Sequence, residues 1–385
     1  MTVVSKEELV SWRRHLHMNP ELSFHEEKTS QYIYDTLCTF PHLDVSRPTK
    51  HSVMARLIGN RPGKTIALRA DIDALPIKEE NTFDFISKNE GVMHACGHDG
   101  HTSMLLGVAK SLSTRHDEID GEVRFFFQHA EELFPGGAEE MVNAGVMDGV
   151  DYVIGAHLWS SLEVGKVGVI YGPAMASPDE FTIKIKGKGG HAAAPHETVD
   201  SIAIGAQLIT SLQQIVSRQT NPLDKVVLSV TQFHAGTAHN IIPDHAYLNG
   251  TVRTFSRELS QATEKRMEQI IQAITSAYGA TYEFSYEYGY RPVINEETTT
   301  AIVEACAKET IGEEAVSRLQ PSMGGEDFSA YLQKAKGTFF FVGAGNKELG
   351  ITYPHHHPRF SIDEDALPIG VNVFIKSVFK LLQQD

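Results

Sequence analysis

Cysteine is scarce in this sequence: Cys38, Cys96 and Cys306 in 385 residues are too few, and odd in number, for a disulfide scaffold. Any cysteine with a special role is therefore expected to act as a thiolate and not as half of a bridge. Long apolar runs are missing as well, and nothing approaches the roughly 20 residues that a membrane-spanning helix needs. The N-terminal stretch MTVVSKEELVSWRRHLH turns amphipathic at once and has no apolar segment of the secretory type. Cytoplasmic residence is the resulting expectation, with no membrane partner. Basic charge is also short, with 34 Lys and Arg against 49 Asp and Glu and a formal net charge of −15. Such a surface repels phosphate backbones, and the longest basic cluster, KIKGKGGH at 184–191, reads as a strand and its turn. Nucleic acid is excluded on that ground. No internal repeat or low-complexity tract is present.

What remains is an ordinary soluble globular composition, 41% hydrophobic and 22% charged, in a chain too long for one core. Histidine is the abundant oddity, at 19. The first part alternates helical and strand-like segments. Leu9, Trp12, Arg13 and Leu16 share a helical face that Asn19-Pro20 terminates, and Thr29, Ile33 and Leu37 mark a second helix. SVMARLIG (52–59) and KTIALRAD (64–71) read as strands around an Arg-Pro-Gly turn. Further strands are expected at 122–129, 151–158 and 164–172, with helices at 101–112 and 137–145. Strands separated by helices predict an α/β unit with a mainly parallel sheet.

The pattern changes near Ser177-Pro178. EFTIKIKGK (180–188) alternates strictly, a helix follows over about 198–219, and two more alternating strands occupy 225–233 and 245–255. A helix over about 258–279 and a strand at 281–288 complete a β-α-β-β-α-β order, the signature of a ferredoxin-like unit. After Arg291-Pro292 the chain resumes a helix, the strand FFFVG (339–343) and a terminal helix ending at 382. The predicted architecture is an α/β domain over 1–178 and 292–385, interrupted by a small α+β domain over 179–291.

The densest chemistry lies in HACGHDGH, His94 to His101, where Cys96 and His98 stand two apart and can reach one ion. Alone, the motif also admits a plainer reading, a polar loop with a buried cysteine and solvated histidines. The most apolar strand, FFFQ at 125–128, runs into HAEE, placing Glu131 and Glu132 where open α/β sheets hold ligands. Adjacent carboxylates repel unless water or a cation intervenes, and they divide naturally into a metal ligand and a base. The plain alternative is the exposed start of a charged helix. His157 ends another apolar strand, and YPHHHPRF sets His355 to His357 in a proline-flanked loop.

Taken together, RRHLHMNPELSFHE, ALRADIDALPI, MHACGHDGH, HAEE, GAHLW, GKGGHAAAPH, NIIPD, GTVRTF, GGEDF and HHPRF follow one another along nearly the whole chain. In this order they resemble the aminoacylase/carboxypeptidase family of di-metal hydrolases, in its hippurate hydrolase and indoleacetyl-amino-acid hydrolase branch. The resemblance implies a metal-dependent amidohydrolase that splits small N-acyl amino acids. Cys96 would be a bridging thiolate, with His98, Glu132, His157 and His356 completing two metal sites. His355 competes with His356, but only His356 aligns with Pro358 and Phe360 in the family's His-x-Pro-x-Phe pattern. Glu131 would be the general base. Asp71 stands where other branches carry a first-metal histidine, and Asp73 would support the site from behind its ligands. The inserted domain would serve as lid and dimer interface, giving a homodimer or higher homo-oligomer. His191 would stabilise the oxyanion, with Asn240, Gly324 and Gly325 holding the substrate. Zinc or manganese is expected, with cobalt or nickel also accommodated. Three competing readings remain: a metallo-dipeptidase or aminopeptidase on the same site, a Cys96 nucleophile with His98 or His101 as base, and a silent metal-binding relative.

Overall fold

A computed structural model of the chain describes residues 4–384. They form two compact units. The first runs to Ala174 and resumes over Ile294–Pro321 and from Asp327 onward; the second is Met175–Val293 with Ser322–Glu326.

The first unit is built on an eight-stranded sheet that is parallel at its centre. Asp120–Gln128, Arg61–Asp71, Tyr152–Glu163 and Lys336–Gly345 lie side by side in one direction. The middle of each is covered on both faces, so Phe125, Phe126, Phe127 and Phe339 to Phe341 are all buried and the sequence loses its alternation there. Val53–Ile58 and Arg61–Asp71 follow each other closely in the chain yet make no hairpin. Each pairs instead with Asp120–Gln128, the first antiparallel and the second parallel. The strand expected over 164–172 divides into Val167–Val169 and Gly172–Met175, because Gly172 takes a left-handed conformation (φ 69°) that interrupts extended backbone.

Helix Lys6–Met18 starts at Ser5, whose hydroxyl accepts the Glu8 N–H, and buries Leu9, Trp12, Arg13, Leu16 and His17. Arg13 and His17 are not the apolar residues such a face ordinarily carries. Their cost is offset by carboxylates: Arg13 Nε and His17 Nδ1 both reach Asp99 Oδ2, at 2.9 and 2.8 Å, and His17 Nε2 meets Glu79 Oε1 at 3.1 Å. This network ties the N-terminal helix to the first turn of helix His98–Ser113.

In the second unit the strands Ser177–Lys186, Val226–Ala235, His245–Thr254 and Thr281–Glu287 form one antiparallel sheet. Their spatial order is fourth, first, third, second, the ferredoxin-like arrangement. Phe181, Ile183 and Ile185 pack with Leu208 and Leu212 of helix Ser201–Gln214 and with Met267 and Ile271 of helix Arg257–Ala277. The first of these helices begins later than its periodicity suggested, because Asp200 caps it by accepting the Ile202 and Ala203 N–H groups. No helix among the described residues is long and apolar enough to cross a membrane.

Candidate active site

The site collects at the C-terminal ends of the parallel strands, where loops leave the sheet and apolar cover gives way to polar groups. Gly97 precedes helix His98–Ser113 in a left-handed conformation (φ 91°), a turn that sets Cys96 and His98 on either side of it. His98 is buried, and its Nδ1 lies 3.0 Å from the Asp73 carbonyl and 3.2 Å from Asp73 Oδ1. With Nδ1 donating, Nε2 is the nitrogen that would offer its lone pair once a cation displaces its proton, and it has no hydrogen-bond partner among the described residues. Asp73 is itself braced by the Ser23 hydroxyl at 2.7 Å and the Glu132 N–H at 3.0 Å.

His157 follows the same logic. Its Nδ1 donates to the Leu158 carbonyl at 2.8 Å, leaving Nε2 facing Cys96 Sγ at 3.5 Å. Burial, followed by the neighbouring His101 and His355, holds its imidazole well below the usual histidine range, so it stays neutral. Burial and then Glu132, Glu131 and Asp71 push the Cys96 thiol well above its ordinary value. Around His98 burial opposes charge, but Asp71, Asp73 and Glu132 outweigh it and raise its pKa to about 10. A pocket this rich in carboxylate favours a cation.

Glu131 and Glu132 stand in the loop between strand Asp120–Gln128 and helix Gly137–Asn143, not at the start of a charged helix. His356 backbone donates to the Ala95 carbonyl at 2.8 Å and adopts φ 64°, a left-handed conformation that is costly for a residue with a Cβ. Its Nε2 comes to 3.2 Å from Glu132 Oε1, a buried oxygen with no hydrogen-bond partner among the described residues. His355 is occupied elsewhere, with Nε2 donating to the Leu158 carbonyl at 2.9 Å.

Ligating atoms of Cys96, His98 and His157 all lie within 4.8 Å of one another, and so do those of Cys96, Glu132 and His356. The two sets share the sulfur. A thiol, three imidazoles and a carboxylate are the donor set of divalent transition ions. The orphaned His98 Nε2 and Glu132 Oε1 fit the same purpose, since buried polar atoms without partners are costly unless something binds them. Glu131 joins His98 and Glu132 in a third such set.

Two residues of the same motifs are spoken for. His101 Nδ1 meets Asp71 Oδ1 at 2.6 Å while its Nε2 accepts the Leu158 N–H at 2.8 Å, so neither nitrogen is free. Asp71 is held on its other oxygen by Arg69 Nη1 at 2.7 Å. Burial resists its ionisation, but His98, His101 and Arg69 hold its carboxyl well below the usual carboxylate range. Arg69 also reaches Gln128 Oε1 and Asp327 Oδ1, each at 2.8 Å. Sequence reasoning gave Arg69, Gln128 and Asp327 no role; the available signal was a cation inside the apolar strand KTIALRAD. Replacing this buried guanidinium strands the carboxylates around it. Arg69→Leu is expected to destabilise the fold by about 3–5 kcal/mol in urea unfolding. A loss under about 1 kcal/mol would show the network to be dispensable.

The remaining sequence-derived residues belong to the second unit. His191 pairs with Ile241 in a two-residue ribbon, and the Asn240 carbonyl accepts the Ala192 N–H at 3.1 Å, so His191 and Asn240 are neighbours. His191 is exposed, and its Nδ1 accepts the Ala193 N–H at 3.0 Å, which leaves the proton on Nε2. The Gly324 carbonyl accepts the Ala176 N–H at 3.0 Å, and a Cβ on Gly325 would stand 2.6 Å from Pro178.

Among proteins similar to this chain, the N-acyl-L-amino acid amidohydrolase of Geobacillus stearothermophilus is 66% identical over 290 residues, 75% of this chain and 78% of that protein. The N-acetylcysteine deacetylase of Bacillus subtilis (strain 168) is 42% identical over 378 residues, 97% of each chain. The crystal structure of the Bacillus subtilis YXEP protein, described as a dinuclear metal binding peptidase from the M20 family, superposes with a TM-score of 0.85 at 38% identity, covering 99% of both chains. The family model for peptidase family M20/M25/M40 matches residues 67–380, and with these identities it follows that the chain belongs to that family.

Proposed function

We propose that this protein is a metal-dependent amidohydrolase that cleaves the amide bond of small N-acyl amino acids, releasing a carboxylic acid and a free amino acid. The observation that carries the reading is the Cys96 sulfur, common to two sets of ligating atoms and lying beside the Glu131-Glu132 pair. The names of the Geobacillus and Bacillus relatives support the substrate class. Cys96, His98, Glu132, His157 and His356 would hold two divalent cations, with Cys96 between them. Zinc or manganese suits thiolate, imidazole and carboxylate together, and cobalt or nickel is served by the same donors. Bound there, the cations supply Lewis-acid polarisation of the scissile carbonyl and a lowered pKa for the attacking water.

The chain's own residues do the rest. Glu131 takes the proton of the attacking water and returns it to the departing nitrogen as the C–N bond breaks. His101, Asp71 and Arg69 keep their neighbours in fixed orientation, and the Asp73 carboxylate holds His98 in the tautomer that leaves Nε2 free. His191 Nε2–H is proposed as a donor to the developing oxyanion, with Asn240 and the Gly324-Gly325 turn contacting the substrate. The same reading carries a cytoplasmic enzyme, consistent with three free cysteines, that assembles as a homodimer or higher homo-oligomer through its inserted domain.

The test is a substrate panel. Metal-loaded protein is incubated with N-acetyl, N-benzoyl and N-indoleacetyl amino acids and with unblocked dipeptides, and amine release is followed. At least one acylated substrate is expected to exceed every dipeptide in kcat/KM by about tenfold or more. Faster cleavage of the dipeptides would reassign the enzyme as a peptidase.

A further inference from the structure

Glu26 closes the motif RRHLHMNPELSFHE, and the reaction outlined above leaves it without a role. It is wholly buried, an unusual location for a carboxyl that has no cationic partner among the described residues. It occupies the N-cap position of helix Glu27–Cys38, yet its side chain makes no capping bond. That task falls to Glu21, whose Oε2 accepts the Thr29 N–H at 2.8 Å and the Thr29 hydroxyl at 2.9 Å. Glu26 is thereby released to point away from its own helix. Its Oε1 accepts the N–H of Ala130 at 2.8 Å, across 104 positions of sequence.

Ala130 is the residue before Glu131. It is buried and adopts φ 49°, a left-handed conformation that a residue with a Cβ enters only under constraint. Its carbonyl is held from the other side by the Gly137 N–H at 3.0 Å. Gly137 is pressed so close that an added Cβ would lie 1.9 Å from the His129 carbonyl oxygen. Three residues before Glu26, Ser23 braces Asp73, which in turn receives the Glu132 N–H. One short N-terminal segment therefore grips the carboxylate turn on both sides.

We propose that Glu26 is a positioning residue for the hydrolytic reaction: through the Ala130 N–H it locks the left-handed turn that presents Glu131. The inference rests on Glu131 acting as the base. Burial, followed by the charge of Asp73, raises the Glu26 pKa to about 8, so at neutral pH the group is an uncharged acceptor and a glutamine can replace it. The turn fixes the direction of a proton acceptor, and a misplacement of ~1 Å costs about 10²-fold in rate.

The test compares Glu26→Gln, Glu26→Met and Glu26→Met/Ala130→Gly with the wild-type holoenzyme and with Glu131→Gln, measuring kcat, KM, bound metal and melting temperature. Glu26→Gln is expected to stay within about threefold of wild type in kcat. Glu26→Met is expected to lose about 30-fold in kcat, with KM and bound metal unchanged. Adding Ala130→Gly should recover several-fold of that loss, because glycine holds the left-handed turn without help. It also gives a foldable background should Glu26→Met alone prove insoluble; in that case the double variant must still outperform an Ala130→Val single variant, which strains the same turn. Wild-type kcat in Glu26→Met, a loss confined to KM or metal content, or no recovery on adding Ala130→Gly overturns the proposal. Full turnover in Glu131→Gln overturns both readings, whereas an inactive Glu131→Gln beside a fully active Glu26→Met removes only the role of Glu26.

Discussion

Glu131→Gln is expected to keep its metal and to lose turnover by about 10²-fold or more. Glutamine preserves the size of the side chain but cannot accept the proton of an attacking water. The residue is 8% exposed and lies beside His98 and Glu132, so the substitution leaves the ligand atoms of Cys96, His98, Glu132, His157 and His356 in place. The measurements are kcat with an N-acyl amino acid and metal content per chain. Undiminished turnover would remove Glu131 from the mechanism. A parallel loss of metal would instead make it a structural member of the ligand cage.

Dialysis against a strong chelator is expected to abolish turnover, and divalent ion added back is expected to restore it. The folded protein should also lose stability, by about 4 kcal/mol where the ion had been present at a thousand times its dissociation constant. The physical ground is the set of buried ligand atoms that the pocket leaves unsatisfied. Glu132 Oε1 and His98 Nε2 are buried without hydrogen-bond partners among the described residues, and His356 Nε2 faces Glu132 Oε1 at 3.2 Å. A bound cation would satisfy both atoms, whereas without it burial leaves them unpaired at a cost to the fold. The experiment also separates the metal reading from a Cys96 nucleophile. Burial, and then the carboxylates around it, push the ionisation of that thiol upward, the opposite of what an attacking cysteine needs. Full activity in chelated, metal-free protein would restore the nucleophile reading. Adding back zinc, manganese, cobalt and nickel separately shows which ion supports the higher rate.

The elements were legible in the sequence wherever side chains report local geometry. Leu9, Trp12, Arg13 and Leu16 recur at helical spacing and are buried together on helix Lys6–Met18. Phe181, Ile183 and Ile185 alternate, and all three are buried on one face of strand Ser177–Lys186. The β-α-β-β-α-β order was enough to predict a ferredoxin-like sheet, because few topologies connect those elements with short loops. Less legible was the sheet of the first unit. Neighbours in the chain, Val53–Ile58 and Arg61–Asp71, are kept apart by a strand that comes some fifty residues later, and no local pattern announces that insertion.

By itself, then, the sequence determined which residue types accumulate at strand ends: a cysteine, several histidines and a pair of glutamates in one α/β unit. It could not say which histidine nitrogens are free, since spacing leaves His98 and His101, or His355 and His356, looking alike. Tertiary structure decided that. Leu158, about sixty residues from His101 and nearly two hundred from His355, offers its N–H to the one and its carbonyl to the other, while His98 turns Nδ1 to Asp73 and keeps Nε2 open. An imidazole binds a metal through whichever nitrogen its hydrogen bonds leave unprotonated, and those bonds come from residues distant in the chain.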